Sequence, residues 1–168
     1  SILIRTFSNP IVNFSIDTLQ GCSPLTINTD TSGTTQGANY IWRVLNQNGT
    51  VLESYNYHKN SFILNNSSST IDSSYYISLS VIDNQACEQN VSSNEIVVFA
   101  QPISGFSLEN TCDGSLVSFF DNSSSATSTI NSWQWDFGDT SNSNDTSTLA
   151  NPNGYIYSSW GIWNVTLI

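Results

Sequence analysis

Apolar and polar residues alternate over short stretches along most of the chain. In Tyr75-Tyr-Ile-Ser-Leu79 and Trp163-Asn-Val-Thr-Leu167, aromatic and aliphatic side chains recur at every second position. Period 2 is the strand spacing, because successive Cβ atoms of a strand point to opposite faces. Trp133-Gln-Trp135-Asp136-Phe137 follows the same rule, with Trp133, Trp135 and Phe137 on one face and Gln134 and Asp136 on the other. Gly138 then permits a positive φ that a side chain would resist. Asp139 can fold its carboxylate onto nearby backbone N–H groups and hold the turn. Asn48-Gly49 predicts a hairpin turn. No window sustains an apolar period of 3.6 residues, so the pattern predicts an all-β chain with almost no helix.

The pattern also repeats. Ser1 to Phe14 and Asn94 to Phe106 each carry an apolar β run, a short polar link with proline, an Ile and a Phe, and each precedes a cysteine. Pro10 and Pro102 stand 92 residues apart, a length that suits one immunoglobulin-like sandwich of roughly 100 residues. Tyr40-Ile-Trp42 corresponds to Trp133-Gln-Trp135, and Tyr75–Leu79 to Trp163–Leu167. The expected organisation is therefore a leftover strand of a preceding domain at 1–9, a complete sandwich at 10–99, and a second sandwich at 102–168 without its closing strand. The competing assignment makes Ser1 to Ser8 the first strand of the first domain. Proline at each joint stiffens a short connection.

Composition narrows the function classes. Hydrophobic residues make up 38% of the 168, but only 10% are charged, against a usual share of about 25%. Ser, Thr and Asn fill the surface instead, and they favour turns and strand exteriors. The net charge is −10, from 13 acidic and 3 basic residues. Nucleic-acid binding needs Lys and Arg against phosphate, and an anionic membrane surface needs them as well. Neither partner is expected. No apolar run reaches the roughly 18 residues of a membrane span, so no membrane insertion is expected in this segment.

Three cysteines leave one without an internal partner. Cys22 opens the first repeat and Cys87 follows its Tyr75–Ile82 run. A Cys22–Cys87 bridge would close 64 intervening residues and contribute about 4 kcal/mol on the loop-entropy account. It would imply an oxidising compartment. Cys112 corresponds to Cys22, and the counterpart of Cys87 falls beyond the sequence, so Cys112 is expected to be unpaired through truncation. A reactive thiol at Cys112 is the alternative, without a nearby His or cation cluster to activate it.

The run Trp133-Gln-Trp135-Asp136-Phe137-Gly138-Asp139 closely resembles the W-x-W-D-F-G-D-G signature of PKD domains, immunoglobulin-like modules repeated in large cell-surface and secreted proteins. Thr140 stands where the final Gly is usual. Asn151-Pro152 followed by Tyr157 resembles the family's N-P-x-h-x-Y run with one extra residue, and Tyr157 to Leu167 resembles its Y-x-x-x-G-x-Y-x-V-T-L strand pair, with Trp163 in place of Tyr. The first repeat is a weaker match: Gly21-Cys-Ser-Pro24-Leu-Thr-Ile27 is similar to openings of PKD-like repeats in bacterial surface proteins, and Trp42-Arg43-Val44-Leu45 lacks the capping Asp. The resemblance implies tandem PKD-type sandwiches with a spacer, adhesion or recognition role, as in gliding-bacteria adhesins. Trp133, Trp135, Asp136, Phe137, Gly138 and Asp139 would be the structural signature.

Candidate chemistry is sparse. His58 is the only histidine, and no Ser sits in a G-x-S-x-G elbow. Asp136 and Asp139 are close in sequence, but a glycosidase pair must face across a cleft. Asp139, Ser141, Ser143 and Asp145 place oxygens at alternate positions, as calcium loops do; a calcium site here competes with a self-capped polar hairpin. Trp160 occupies a turn slot usually held by Pro and is the best candidate for an exposed ligand platform, with Tyr155 and Trp133 weaker. The resulting expectation is a non-enzymatic segment of a long extracellular, cell-surface protein, serving as stalk or adhesion array without cofactor. Its partners would be neighbouring sandwich domains and a surface polysaccharide or protein. The alternatives are a carbohydrate- or protein-binding accessory module of a secreted hydrolase and a calcium-rigidified linker.

Overall fold

The computed structural model describes residues 2–35 and 39–168. It divides into a first unit, Ser1–Gln101, and a second, Pro102–Ile168. Among the described residues every regular element is a strand.

In the first unit the strands are β1 (Ser15–Ile16), β2 (Gln20–Cys22), β3 (Leu25–Asp30), β4 (Asn39–Asn46), β5 (Val51–Tyr55), β6 (Ser61–Leu64), β7 (Ser73–Ile82), β8 (Glu88–Ser92) and β9 (Ile96–Phe99). One sheet runs β1-β3-β6. The other runs β2-β9-β7-β4-β5, with β8 also paired to β7. The β2–β9 pair is parallel and the others are antiparallel. The hairpin between β4 and β5 turns on Gly49 at φ +76°, with its N–H donating to the Asn46 carbonyl. The alternating side chains of both sheets meet in one core of Ile27, Trp42, Val44, Phe62, Leu64, Ile77, Leu79, Val81, Ile96 and Val98. Residues 2–9, expected to be a strand, form none and are exposed; Ser1 lies outside the described residues.

In the second unit the strands are β10 (Phe106–Glu109), β11 (Val117–Asp121), β12 (Trp135–Asp136), β13 (Thr146–Ser147), β14 (Asn153–Tyr155) and β15 (Thr166–Leu167). They form two sheets, β10-β11-β14 and β13-β12-β15. This is the order of β1-β3-β6 and β5-β4-β7 over again. The register agrees too: Trp42 lies opposite Leu79, and Trp135 opposite Leu167. Both tryptophans are fully buried. The expected correspondence of Trp42 with Trp135 thus has a structural counterpart in the sheets.

The expected Cys22–Cys87 bridge is overturned, and all three cysteines are free. Cys22 lies beside Phe99, and β9 joins β7 at its beginning, Val98 opposite Ser73. Cys87 sits next to the far end of β7, where Ile82 faces Glu88. Nine residue steps along a strand separate those ends by roughly 30 Å, whereas a disulfide needs Cα atoms within about 7 Å. Cys112, exposed, shares its unpaired state with the other two, so no missing partner is needed to explain it.

Candidate functional site: the signature turn and the groove beside it

β12 is the middle strand of its sheet, and its flanking residues lock the turn that follows. The Trp135 indole Nε1 donates to the Leu149 carbonyl at 2.8 Å, and the Phe137 N–H to the Asp145 carbonyl at 2.8 Å. Asp136, exposed, accepts from the Gly138 N–H at 2.8 Å in an Asx turn. Gly138 has φ +73°, and a Cβ there would run into the Asn164 carbonyl, so both conformation and space demand glycine.

Asp139 is fully buried. Its carboxylate accepts from the Ser141 hydroxyl at 2.6 Å and N–H at 3.3 Å, and from the Ser158 N–H at 3.0 Å and hydroxyl at 3.1 Å. The Ser141 hydroxyl, foremost, holds the carboxyl below its ordinary 3.8; burial opposes this and the Ser158 donors reinforce it. The sequence predicted a cap by Asp139 on nearby backbone N–H groups, and the Ser141 N–H is one of them. The clamp on Ser158, 19 positions on, carries no local sequence signal, since it arises only when β14 brings that loop back.

These contacts decide what the acidic residues can do. Asp136 faces solvent and Asp139 faces four donors, so the two share no cleft as a catalytic pair would. A cation at Asp139, Ser141, Ser143 and Asp145 would have to displace the hydrogen bonds that occupy Asp139. Ser143 is exposed, and Asp145 is half-buried with its carbonyl engaged by Phe137. Among the described residues no three His, Cys, Asp or Glu side chains gather as metal ligands would. His58 shares a hydrogen bond with the Thr31 hydroxyl at 2.9 Å and packs edge-on against Tyr40.

The aromatic residues separate into core and rim. Trp133 is half-buried against the second core. Tyr155, expected as part of a platform, is buried instead: its ring lies 4.4 Å from Phe137 and 4.8 Å from Tyr157. The last residue of β14 turns inward, and the phenol is enclosed by the rings around it. Tyr157 stacks on Trp163 at 5.0 Å, and burial, foremost, pushes its phenol up to about 12. Trp160 is 83% exposed. It stands at the rim of a groove of about 410 Å³ walled by Leu108, Cys112, Val117, Phe119, Trp163 and Val165.

Residues 100–168 match the family model of the PKD domain. The second unit is thus PKD-type and immunoglobulin-like in its fold. No curated protein matches the chain. Solved structures similar to it include the one titled "Structure of amphioxus IgVJ-C2 molecule", at 10% identity over 89% of this chain and 97% of that one, with a TM-score of 0.34. A likeness that distant carries no argument about either protein's role.

Proposed function

We propose that the chain is a non-catalytic segment of a large extracellular surface protein, a stalk or adhesion array of PKD-type sandwiches that extends and presents a binding tip. The observation that carries this reading is the inward turn of the signature: Trp135, Phe137 and Asp139 are all buried and spend their contacts on the fold. PKD and immunoglobulin-like domains are typically non-catalytic extracellular modules, which supports the reading. An array of weak modules gains avidity from effective concentration and needs no strong site in any one of them.

One observation favours a second reading, an accessory module that binds carbohydrate. Trp160 offers a large exposed ring beside a groove, and exposed rings at pockets are common ligand anchors. Affinity electrophoresis through gels containing soluble polysaccharides separates the two. The stalk reading expects no retardation of the chain. Retardation that is lost in Trp160→Ala would replace it with the accessory module.

A further inference from the structure

The β4–β5 hairpin carries reactive chemistry at its tip. Asn48 is followed by Gly49, and both are exposed. The backbone nitrogen after an asparagine can attack that residue's side-chain amide and close a succinimide ring. Most residues shield this nitrogen with their own side chain. Gly49 has none, and a Cβ placed there would find nothing within 4 Å. The sequence has one other Asn-Gly pair, Asn153-Gly154. It lies in β14, where pairing of Asn153 with Ser118 on β11 restrains the backbone.

One residue restrains the tip. Asn46 accepts from three consecutive amides. Its side-chain Oδ1 takes the Asn48 N–H at 3.0 Å and the Thr50 N–H at 2.9 Å, and its carbonyl takes the Gly49 N–H at 2.9 Å. The Asn46 N–H in turn donates to the Thr50 carbonyl at 3.0 Å and closes the hairpin. Gly49 adopts the left-handed φ of +76° that a type I turn followed by a bulge requires. The nitrogen that must attack therefore has its proton engaged, and one side chain fastens the backbone on both sides of it. Asn46 is the half-buried last residue of β4, so the sheet holds it in place.

We propose that Asn48 is a site of slow, spontaneous deamidation and that the Asn46 side chain sets its rate. The Gly49 nitrogen bonds to the Asn48 Cγ and the Cγ–Nδ2 bond breaks. The Gly49 proton leaves with the side-chain nitrogen as ammonia. Water then opens the succinimide at either carbonyl, giving aspartate or isoaspartate. Either product adds a negative charge to a chain that already carries −10. Isoaspartate also routes the main chain through the former side chain, which lengthens the turn that Asn46 closes on Thr50. Turn length fixes hairpin register, so the β4–β5 ladder is disturbed first at its last rung, Leu45 opposite Val51. Nothing in this chemistry depends on whether the chain serves as a stalk.

Prolonged incubation of the full chain in neutral buffer, followed by peptide mapping and isoaspartyl methylation, tests it. Asn48 should convert in the folded chain, but more slowly than in a free peptide of residues 44–52, where no sheet holds Asn46. Asn46→Ala should speed conversion in the folded chain about fivefold or more, the factor expected when a net hydrogen bond is lost. Asn46→Asp keeps an acceptor for both amides and should stay at or below the parental rate. A folded chain that converts as fast as the peptide overturns the proposal. So does Asn46→Ala no faster than the parent, or conversion at Asn153 ahead of Asn48. Asn46 stands at the tip of a hairpin, away from the core residues around Trp42, and near-UV circular dichroism of the tryptophans checks that the variants stay folded.

Discussion

Ile27, Ile77, Leu79, Val81, Ile96 and Val98 fill the first unit around Trp42, whereas Phe119, Phe137 and Tyr155 fill the second around Trp135. The strand order is shared and the materials differ. Long ladders hold the first unit: β4 and β7 pair over eight residues, Asn39 to Asn46 against Ile82 to Tyr75. In the second unit the strands equivalent to these are two residues each. A run of ring contacts from Phe106 through Trp135, Phe119, Phe137 and Tyr155 to Tyr157 takes over the work of the missing ladders. The polar fastenings differ as well. In the first unit the buried Asn66 joins Ser23, Ser68, Ile71 and Val98, all through neutral groups. In the second the buried Asp139 joins Ser141 and Ser158 through a charge. One architecture can thus rest on backbone pairing or on aromatic packing with a charged clamp.

The contrast is broken most severely at the tryptophans. Trp135→Ala removes the centre of the smaller core and should cost about 3–5 kcal/mol, enough to unfold a unit with short ladders. Trp42→Ala carries a similar cost, but the first unit should survive it at low denaturant. Guanidinium titration followed by near-UV circular dichroism should show the second transition lost in the first variant and the first merely shifted in the second. Retention of both transitions in Trp135→Ala would show that the rings are less central than their burial implies.

Gly138→Ala probes the turn alone. The positive φ costs of order 1 kcal/mol for alanine, and the collision with the Asn164 carbonyl adds to it. A loss of about 1–3 kcal/mol is expected in the second unit. Gly49→Ala, at a similar φ but with open space around it, should cost only the smaller, conformational part.

Acid should separate the units next. The folded Asp139 has a carboxyl below its ordinary 3.8, so its contribution is complete above about pH 4. It is lost as pH falls from there through the lower folded value. The second transition should therefore weaken below about pH 4, and Asp139→Asn should flatten that dependence. An unchanged acid profile in the variant would transfer the effect to another group, of which Asp121 is the first to test, since burial raises its carboxyl but hydrogen bonds from Ser123 and Trp133 together lower it below the ordinary value. The smallest effect is expected from Cys22→Ser with Cys87→Ser, within about 0.5 kcal/mol of the parent. A reductant should leave both transitions in place; a large loss would restore the bridge that the strand geometry denies.

How much of this was legible in the sequence depended on the range of the interaction. Period 2 and the Trp42–Trp135 offset carried the all-β architecture and the paired cores, because alternation is written into neighbouring positions. The turn at Gly138 and Asp139 was readable for the same reason, whereas the Asx turn that Asp136 makes with the Gly138 N–H was not foreseen. Contacts that depend on where a loop returns were not. Nothing local marks Ser158 as a donor to Asp139, or Asn66 as a hub. The cysteine arithmetic failed because it counted residues along the chain, while β7 holds the two thiols at opposite ends. Tyr155 failed on the geometry of its strand, whose last residue turns inward onto Phe137. Trp160 was readable as a turn residue, and its exposure follows from having no strand to bury it.

The pairing of Trp135 with Leu167 also fixes an order of events. A chain that emerges from N-terminus to C-terminus has the whole first unit available before the second begins. Synthesis at ~5–20 residues per second then leaves Trp133, Trp135 and Phe137 without the β15 strand for roughly 2–6 s. Three apolar rings then stand on a strand without its partner, whereas the core around Trp42 in the first unit is already enclosed. The second unit therefore cannot complete its core until β15 has emerged.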